Sequence, residues 1–338
     1  MKPPPRGRAI EQKVYYYKKK SKLYPNTMNH LDTINAALKA LPYPQKPEGL
    51  YEPISYVLSM GGKRLRPVLT LLAYGLYRED VERAVPAALA LETYHNHTLL
   101  HDDLMDNADV RRGMPTVHKK WDANTAVLSG DTMLIMACRK MMETSTPHLR
   151  ELMDLFLRTQ QEICEGQQYD VNFETRTDVA VEEYIEMIRL KTSVLLACAL
   201  QCGALIADAP VADQQLLYDF GQYIGLAFQL QDDYLDCYGD PAVFGKAIGG
   251  DIRCGKKTFM LISAVARADE ADAETLITSR DPSVVLPLYE RHGIPQLARE
   301  KMQEYYAKAL AVLEKLNVPA ERKQVLWEYA EALLRREK

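Results

Sequence analysis

The stretch TLLHDDLMD at residues 98–106 carries an acidic pattern that returns 130 residues later, as FQLQDDYLD at residues 228–236. Each acidic cluster ends an apolar stretch with helical spacing. On a helix, positions i and i+4 share a face, so Asp102 pairs with Asp106 and Asp232 pairs with Asp236. Such like charges destabilise a bare helix by about 0.2–0.5 kcal/mol per pair, so their repetition favours bound cations over a merely solvated face. Carboxylate oxygens with little sulfur or imidazole nearby are typical of Mg²⁺ sites.

The same helical periodicity dominates the chain from about residue 31 to residue 337, without convincing strand alternation. It predicts helices at residues 31–41, 49–60, 64–77, 84–107, 122–143, 148–172, 179–206, 212–237, 257–268, 282–291, 294–315 and 319–336. Several of them exceed 20 residues, as a bundle around a deep central cavity requires. Because no linker or composition shift divides the chain, we predict one all-α domain over residues 30–338.

Composition limits the function classes. The chain of 338 residues is 47% hydrophobic and 26% charged, which is typical of a soluble globular protein. Its net charge of −4 gives no support for nucleic-acid binding. The first 22 residues differ, with eight Lys or Arg residues against one Glu and no apolar core of a secretory signal. We predict that residues 1–29 form a basic, disordered tail, with weak contact to an anionic membrane as the alternative.

Three patterns missing from the sequence bear on where the protein is located and on which metal it binds. The best apolar stretch, from Val194 to Ala207, is too short to cross a membrane and is interrupted by a glutamine, so we predict no transmembrane segment. Six cysteines without CxxC spacing indicate a reduced, cytoplasmic protein. His95, His97 and His101 suggest zinc, but neither an HExxH pattern nor a cysteine ligand accompanies them. Polar lining of a cavity is the better interpretation.

Basic residues are grouped near glycines. GGKRLRP at residues 61–67, RRG at residues 111–113 and GKKT at residues 255–258 each place cations beside a turn or a helix start, where phosphates bind well. Lys191 is different, because Leu190, Val194 and Leu195 predict that it enters an apolar interior, where an ammonium group is costly unless it is paired. Two basic sets and two acidic clusters together predict two phosphate-bearing ligands, one of them held through Mg²⁺.

Taken in order, these motifs resemble those of the polyprenyl synthetases, or trans-isoprenyl diphosphate synthases, over residues 31–338. The resemblance covers both DDxxD clusters, GGKRLRP, RRG, Lys191-Thr192, FQLQDD at residues 228–233, Gly245-Lys246, Gly250-Asp251-Ile252 and GKKT. It implies an isoprenoid-synthase-type helical bundle around a central cavity, usually a homodimer, with three Mg²⁺ ions. The implied reaction condenses isopentenyl diphosphate head-to-tail with an allylic diphosphate.

The resemblance also assigns roles to residues of this chain. Asp102, Asp106 and Asp232 are implied to bind Mg²⁺ directly, with Asp103, Asp233 and Asp236 as supporting or water-mediated ligands. The allylic diphosphate is assigned to Arg111, Lys191, Lys246 and Lys256, and isopentenyl diphosphate to Lys63, Arg66, His95 and Arg112. Thr192 and Gln229 are implied to face the allylic carbocation.

The helix that carries Asp102 also predicts the length of the product. A tail that grows away from the metals passes Thr98, His97 and Tyr94, which lie about 6 to 12 Å before Asp102 at a rise of about 1.5 Å per residue. Family members that make farnesyl diphosphate often carry aromatic residues at the first two positions, where this chain has Thr98 and His97. Tyr94 lies a turn deeper and is the predicted floor. This predicts a geranylgeranyl product, with farnesyl or longer chains as alternatives.

Two other activities fit parts of the pattern. A terpene cyclase or head-to-head synthase shares the cation chemistry, but it needs no second diphosphate pocket lined by Lys63, Arg66, His95 and Arg112. A non-catalytic subunit that only binds prenyl diphosphates would be expected to lose part of an acidic cluster, and both clusters are complete.

Overall fold

The structure is a computed structural model that describes residues 25–44, 46–239 and 248–334. Its helices are α1 Pro25–Lys39, α2 Glu48–Ser59, α3 Leu65–Gly75, α4 Val85–Met105, α5 Val117–Lys120, α6 Ala123–Met142, α7 Leu149–Thr175, α8 Val181–Ile188, α9 Val194–Ile206, α10 Val211–Tyr238, α11 Gly250–Cys254, α12 Phe259–Val265, α13 Glu270–Thr278, α14 Pro282–Arg291, α15 Ile294–Glu314 and α16 Ala320–Leu334. A 3₁₀ turn at Val81–Ala84 leads into α4, and a π-helical turn at Arg189–Ser193 joins α8 to α9. The described strands are β1 Val110–Arg111 and β2 Met114–Pro115, an antiparallel hairpin.

The long predicted helices are present, with ends shifted by one to three residues in most cases, and the weakly periodic elements were missed. Helix α1 is already present at Pro25, the first described residue, six residues before the apolar pattern. Helix α13 went unpredicted because only Leu276 in it is buried, so it has no apolar stripe. The disorder predicted for residues 1–29 is wrong for residues 25–29, which belong to α1, and it stays a prediction for residues 1–24, which lie outside the described residues.

Contacts divide the chain into two compact units, and the single-domain prediction stays a prediction. Among the described residues, the N-terminal unit comprises residues up to 156 together with 199–214, and the C-terminal unit comprises 157–198 together with those from 215 to 334. In the N-terminal unit, apolar side chains of α2, α4 and α6 form a core that includes Ile54, Leu100 and Met133. The core of the C-terminal unit draws on α8, α10, α12, α14 and α15. Each fully buried Leu, Ile or Phe contributes about 1.5–3 kcal/mol to such a core.

One continuous helical stretch, Val181–Ile206, is long and apolar enough to cross a membrane, but 78% of its apolar window is buried inside the protein. It exceeds the apolar stretch seen in the sequence because the π-helical turn joins α8 to α9 without a break. Burial of this kind is typical of a core helix.

Candidate active site

The first acidic cluster occupies the C-terminal end of α4 in the N-terminal unit. Asp106 caps the helix, and its backbone N–H donates to the Asp102 carbonyl at 2.8 Å, so the predicted i, i+4 relation holds. Asn107 then adopts a left-handed φ of 50°, and the Ala108 N–H returns to the Asp103 carbonyl at 2.9 Å. This pattern is a Schellman stop. Because the helix dipole is negative here, three carboxylates cost stability at this end and create a strong attraction for cations.

Asp103 is the buried member of this cluster, at 5% exposure, and Arg111 holds it from the hairpin. Arg111 Nε donates to Asp103 Oδ2 at 2.7 Å, and its Nη2 lies 2.7 Å from Oδ1. Burial raises the pKa of the Asp103 carboxyl, and the Arg111 guanidinium opposes that rise. Arg111, which the resemblance assigned to the allylic diphosphate, therefore binds a carboxylate of the same unit.

Three of the four predicted isopentenyl diphosphate residues come together beside the Gly61-Gly62 turn. Arg112 donates to the Gly61 carbonyl and lies 3.4 Å from Asn96 Oδ1. Gly62 has a φ of +137°, and a Cβ there would lie 3.0 Å from the Arg112 guanidinium, so the turn requires glycine at this position.

The charges in this group are unusual for a protein interior. Burial and then the neighbouring guanidiniums, first that of Arg66, hold the pKa of His95 well below its usual range, so the imidazole is neutral at pH 7. Burial also lowers the pKa of Arg66 to about 10. Arg66 Nε is buried and makes no hydrogen bond within the described part of the chain. A positively charged cluster with an unsatisfied buried donor fits an anionic ligand. The fourth predicted residue, Lys63, is exposed on the same turn.

The remaining arginine of GGKRLRP has a structural role that sequence reasoning missed. Arg64, with a left-handed φ of 48°, donates through Nη1 to Glu92 Oε1 at 2.7 Å and through Nη2 to the Leu58 carbonyl at 2.9 Å. Both side chains of the Arg64–Glu92 pair are almost fully buried. This pair connects the Gly61-Gly62 turn to α4. In the sequence, only a glutamate inside the apolar stretch of α4 indicated it.

The predicted chain-length residues lie on α4 with different partners. Tyr94, at 1% exposure, packs edge-on against Phe156 with ring centroids 5.7 Å apart. His97 donates through Nδ1 to the Gly130 carbonyl at 2.9 Å, and burial lowers its pKa to about 4. Thr98 donates to the His95 carbonyl of its own helix. Tyr94 thus has rigid support, whereas His97 faces α6.

The second acidic cluster lies near the C-terminal end of α10 in the C-terminal unit. Asp233 is its deeply buried member, at 4% exposure, and it accepts hydrogen bonds from the Tyr184 hydroxyl and from Gln229 Nε2, the latter at 3.2 Å. Burial, and secondly the charge of Asp251, raises the pKa of the Asp233 carboxyl to about 8. Neither Tyr184 nor Asp251 was a predicted site residue.

Asp236 is held by the short helix that follows. Its Oδ2 accepts the backbone N–H of Asp251 at 3.0 Å, and its carbonyl accepts the N–H of Gly249 at 2.6 Å. Asp236 therefore positions the Gly250-Asp251-Ile252 motif, which explains why that motif follows the second cluster. Lys256 comes next, and its N–H donates to the Asp251 carbonyl at 2.9 Å. Lys246 lies outside the described residues.

The π-helical turn presents Lys191 and Thr192 to different helices. Lys191 Nζ lies 2.7 Å from Asp170 Oδ2 on α7, and Thr192 Oγ1 donates to Gln229 Oε1 on α10 at 3.2 Å. Such turns are frequent at functional sites because an extra residue redirects neighbouring side chains. Asp170 is a further residue that sequence reasoning missed. The sequence pointed to such a residue only indirectly, because the partly buried ammonium group of Lys191 needs a counterion.

Two glycines allow this turn to pack closely. A Cβ at Gly166 of α7 would lie 2.4 Å from the Lys191 backbone nitrogen, and one at Gly225 of α10 would lie 2.6 Å from the Ser193 Cα. Neither contact leaves room for a side chain.

The donor set in both clusters fits a hard divalent cation. Within the described ranges, no group of three His, Cys, Asp or Glu side chains could by itself hold a metal ion. Magnesium, however, is usually held by one or two carboxylates together with substrate phosphates. A pair of aspartates near the negative end of a helix is what such a site needs from the protein.

The family model for polyprenyl synthetase matches residues 47–284. The chain belongs to the polyprenyl synthetase family. This enzyme is an isoprenyl diphosphate synthase, a trans-prenyltransferase, and it binds prenyl diphosphates as its family does. The predicted family and enzyme class are confirmed.

Similar proteins agree on the family and differ in product. The geranylgeranyl diphosphate synthase of Methanosarcina mazei is 41% identical over 249 residues, which cover 73% of this chain and 76% of the relative. The geranylfarnesyl diphosphate synthase of Natronomonas pharaonis is 40% identical over 75% of this chain and 78% of its own length. The family consists of soluble enzymes, and this one makes short-chain trans-prenyl diphosphates.

Solved structures give the fold. A crystal structure of a geranylgeranyl pyrophosphate synthase superposes with a TM-score of 0.88 at 43% identity, covering 93% of this chain and 100% of that one. The all-α isoprenoid synthase fold is thereby confirmed. A polyprenyl synthase from Caulobacter crescentus, with a TM-score of 0.79 at 31% identity over 92% of this chain and 95% of that one, was crystallised with calcium and isoprenyl diphosphate. The family uses divalent metal ions.

Proposed function

We propose that this enzyme condenses isopentenyl diphosphate with dimethylallyl, geranyl or farnesyl diphosphate and makes geranylgeranyl diphosphate as its main product. The observation that carries the proposal is the pairing of acidic clusters with separate sets of cations. One cationic group, at Arg66, His95 and Arg112, lies in the N-terminal unit around an unsatisfied arginine donor. Such a group suits a diphosphate that binds without metal.

Each acidic cluster is a proposed Mg²⁺ site, with three ions in all, and the allylic diphosphate is the proposed metal-bound substrate. Asp102, Asp106 and Asp232 would hold the ions directly. Magnesium, when bound, neutralises the charge that develops on the departing diphosphate. Cationic stabilisation would come from Arg111, Lys191, Lys246 and Lys256.

Thr192 and Gln229 are the proposed neighbours of the allylic carbocation. Both are half-buried, and their oxygens are 3.2 Å apart. Their lone pairs would stabilise positive charge on carbon, while apolar surroundings exclude water that would quench it. The isopentenyl double bond then attacks, and the released diphosphate takes the proton, since the site offers no strong side-chain base.

Tyr94 is the proposed floor of the product tunnel, because it is buried and supported by Phe156. Tyr94→Ala should shift the products from geranylgeranyl to longer chains, since it removes the ring that blocks the tail. The measurement is chromatography of dephosphorylated products made from labelled isopentenyl diphosphate. Tyr94→Phe is the matched control, because it keeps the ring that packs against Phe156 and should keep the wild-type products. An unchanged product distribution in Tyr94→Ala would refute the floor.

The function itself is tested with purified protein, isopentenyl diphosphate and each allylic primer. We expect diphosphate release that needs Mg²⁺ and both substrates, and that stops with excess EDTA. Release from an allylic diphosphate alone would indicate a cyclase. Binding of prenyl diphosphates without release would indicate a non-catalytic subunit.

We also propose a cytoplasmic homodimer. Helix α6 exposes Leu128 at 59%, Ile135 at 60% and Met142 at 59%, spaced seven residues apart. Such an apolar stripe on one helix favours a partner surface. Sedimentation should give a mass twice that of one chain, and the Ile135→Glu variant should sediment with the mass of the monomer.

A further inference from the structure

Four side chains of the C-terminal unit form one continuous hydrogen-bonded chain. Thr192 donates to the Gln229 carbonyl oxygen at 3.2 Å, and the Gln229 amide donates to Asp233 Oδ1 at 3.2 Å. The Tyr184 hydroxyl donates to the other oxygen, Asp233 Oδ2. Tyr184, at 2% exposure, and Asp233 are buried, whereas Gln229 and Thr192 are half-buried. The chain therefore runs from the core towards the proposed reacting centre.

The direction of these bonds is fixed by the carboxylate. Each oxygen of the Asp233 carboxyl group accepts one of these hydrogen bonds, so the Gln229 amino group faces Asp233 and the Gln229 carbonyl points the other way. That carbonyl then takes the proton of the Thr192 hydroxyl. Every hydrogen in the chain points towards Asp233, and the lone pairs of Thr192 and Gln229 are left at the half-buried end.

We propose that Tyr184 is a positioning residue that holds Asp233 and so fixes the orientation of the Gln229 amide and the Thr192 hydroxyl. The inference rests on the proposed function, in which these two groups face the carbocation. Without the Tyr184 hydroxyl, Asp233 loses its donor from α8, and the side chain is free to turn towards other donors. The Gln229 amide would then sample both orientations, one of which presents N–H groups to a cation. Preorganised dipoles stabilise a transition state only when they are held in one orientation.

Tyr184→Phe tests this, because it removes the hydroxyl and keeps the ring. We expect kcat to fall about 10-fold, which is less than the roughly 100- to 1,000-fold that loss of a directly contacting donor costs. The KM for isopentenyl diphosphate should stay within about twofold, since the proposed site for it lies in the other unit. Tyr305→Phe is the matched control, because Tyr305, at 8% exposure, belongs to the same core cluster and its ring stacks on that of Tyr223. It should keep the wild-type kcat.

A double-mutant cycle separates positioning from a general effect on the core. If Tyr184 acts through Gln229, Tyr184→Phe should lower kcat about 10-fold in the wild type and by less than about twofold in Gln229→Leu. Equal losses in both backgrounds would overturn the proposal, as would wild-type kcat in Tyr184→Phe.

Two outcomes remain to be distinguished. Absence of turnover in the wild type would refute the proposed function itself, whereas normal turnover in both wild type and Tyr184→Phe refutes only this inference. If Tyr184→Phe unfolds below the assay temperature, Gln229→Asn interrupts the same series of hydrogen bonds at its half-buried end. A wild-type kcat in Gln229→Asn would then overturn the proposal.

Discussion

The two acidic clusters share a spacing and differ in what surrounds their buried aspartate. Asp103 in the N-terminal unit is bound by the Arg111 guanidinium, a charged partner eight residues away. Asp233 in the C-terminal unit is bound by two neutral donors, Tyr184 and Gln229, near a second carboxylate. Identical sequence patterns thus lie in opposite electrostatic settings.

The difference suggests a division of labour. The Arg111 guanidinium opposes the rise in the pKa of Asp103 that burial causes, and the pair fixes the hairpin at the end of α4. A carboxylate among neutral donors keeps an uncompensated charge or binds a proton, and it orders polar neighbours instead.

The largest expected effect tests what the clusters have in common. Asp102→Ala and Asp232→Ala should each lower kcat by about 1,000-fold or more, because each removes a proposed metal ligand. Melting temperatures should change little, since both side chains are half-buried. The control is Asp109→Ala, which removes an exposed carboxylate paired with Lys119 at 3.0 Å. A lower kcat in only one of the two variants would show that the two clusters are not functionally equivalent.

Stability should separate the two clusters. Arg111→Met leaves the buried Asp103 carboxylate without its cation and should cost about 3 kcal/mol of unfolding free energy. Tyr184→Phe removes one hydrogen bond from Asp233 and should cost about 1 kcal/mol. Urea unfolding of the metal-free protein measures both. Arg111→Lys keeps the charge without the two-bond geometry and should fall between wild type and Arg111→Met. Similar losses for Arg111→Met and Tyr184→Phe would show that the electrostatic contrast has no energetic consequence.

Close packing beside each cluster offers a further contrast. Gly166→Ala should cost about 1–3 kcal/mol, because the new Cβ meets the Lys191 backbone, which cannot move alone. Gly130→Ala places its Cβ 2.1 Å from Nε2 of the His101 ring, the movable end of a side chain, and should cost about 1 kcal/mol or less. Thermal unfolding compares the two. A larger loss of stability in Gly130→Ala than in Gly166→Ala would indicate that the π-helical turn accommodates a new Cβ more easily than the His101 side chain does.

The last expected effect is a gradual pH dependence of stability at the second cluster. Since the pKa of Asp233 is raised to about 8, its neutral form favours the folded state, and this stability is lost as pH rises through that value. Between about pH 4 and pH 8, metal-free wild type should lose stability relative to Asp233→Asn by at most about 1.4 kcal/mol per pH unit, with no further loss at higher pH. Melting curves in EDTA at several pH values measure the difference. Parallel curves would refute the assignment of the pKa shift.

Sequence reasoning worked where the relevant partners are near in the chain. Helix α4 and its acidic end follow from periodicity, and the Gly61-Gly62 turn follows from its glycines. It failed at Asp170, Tyr184 and Arg64, because each finds its partner through packing of helices that are remote in sequence. Tyr184, for example, is 49 residues from Asp233.

By itself, the sequence determined the helical architecture, the paired aspartates and the family, because periodicity and motif order are local properties of the chain. The tertiary structure decided that Asp103 and Asp233 are deeply buried, and whether the partner of each is a cation or a neutral hydroxyl. Those outcomes depend on burial and on charges brought close by folding, and both set the free energy of an ionised group far more strongly than its neighbours in sequence do.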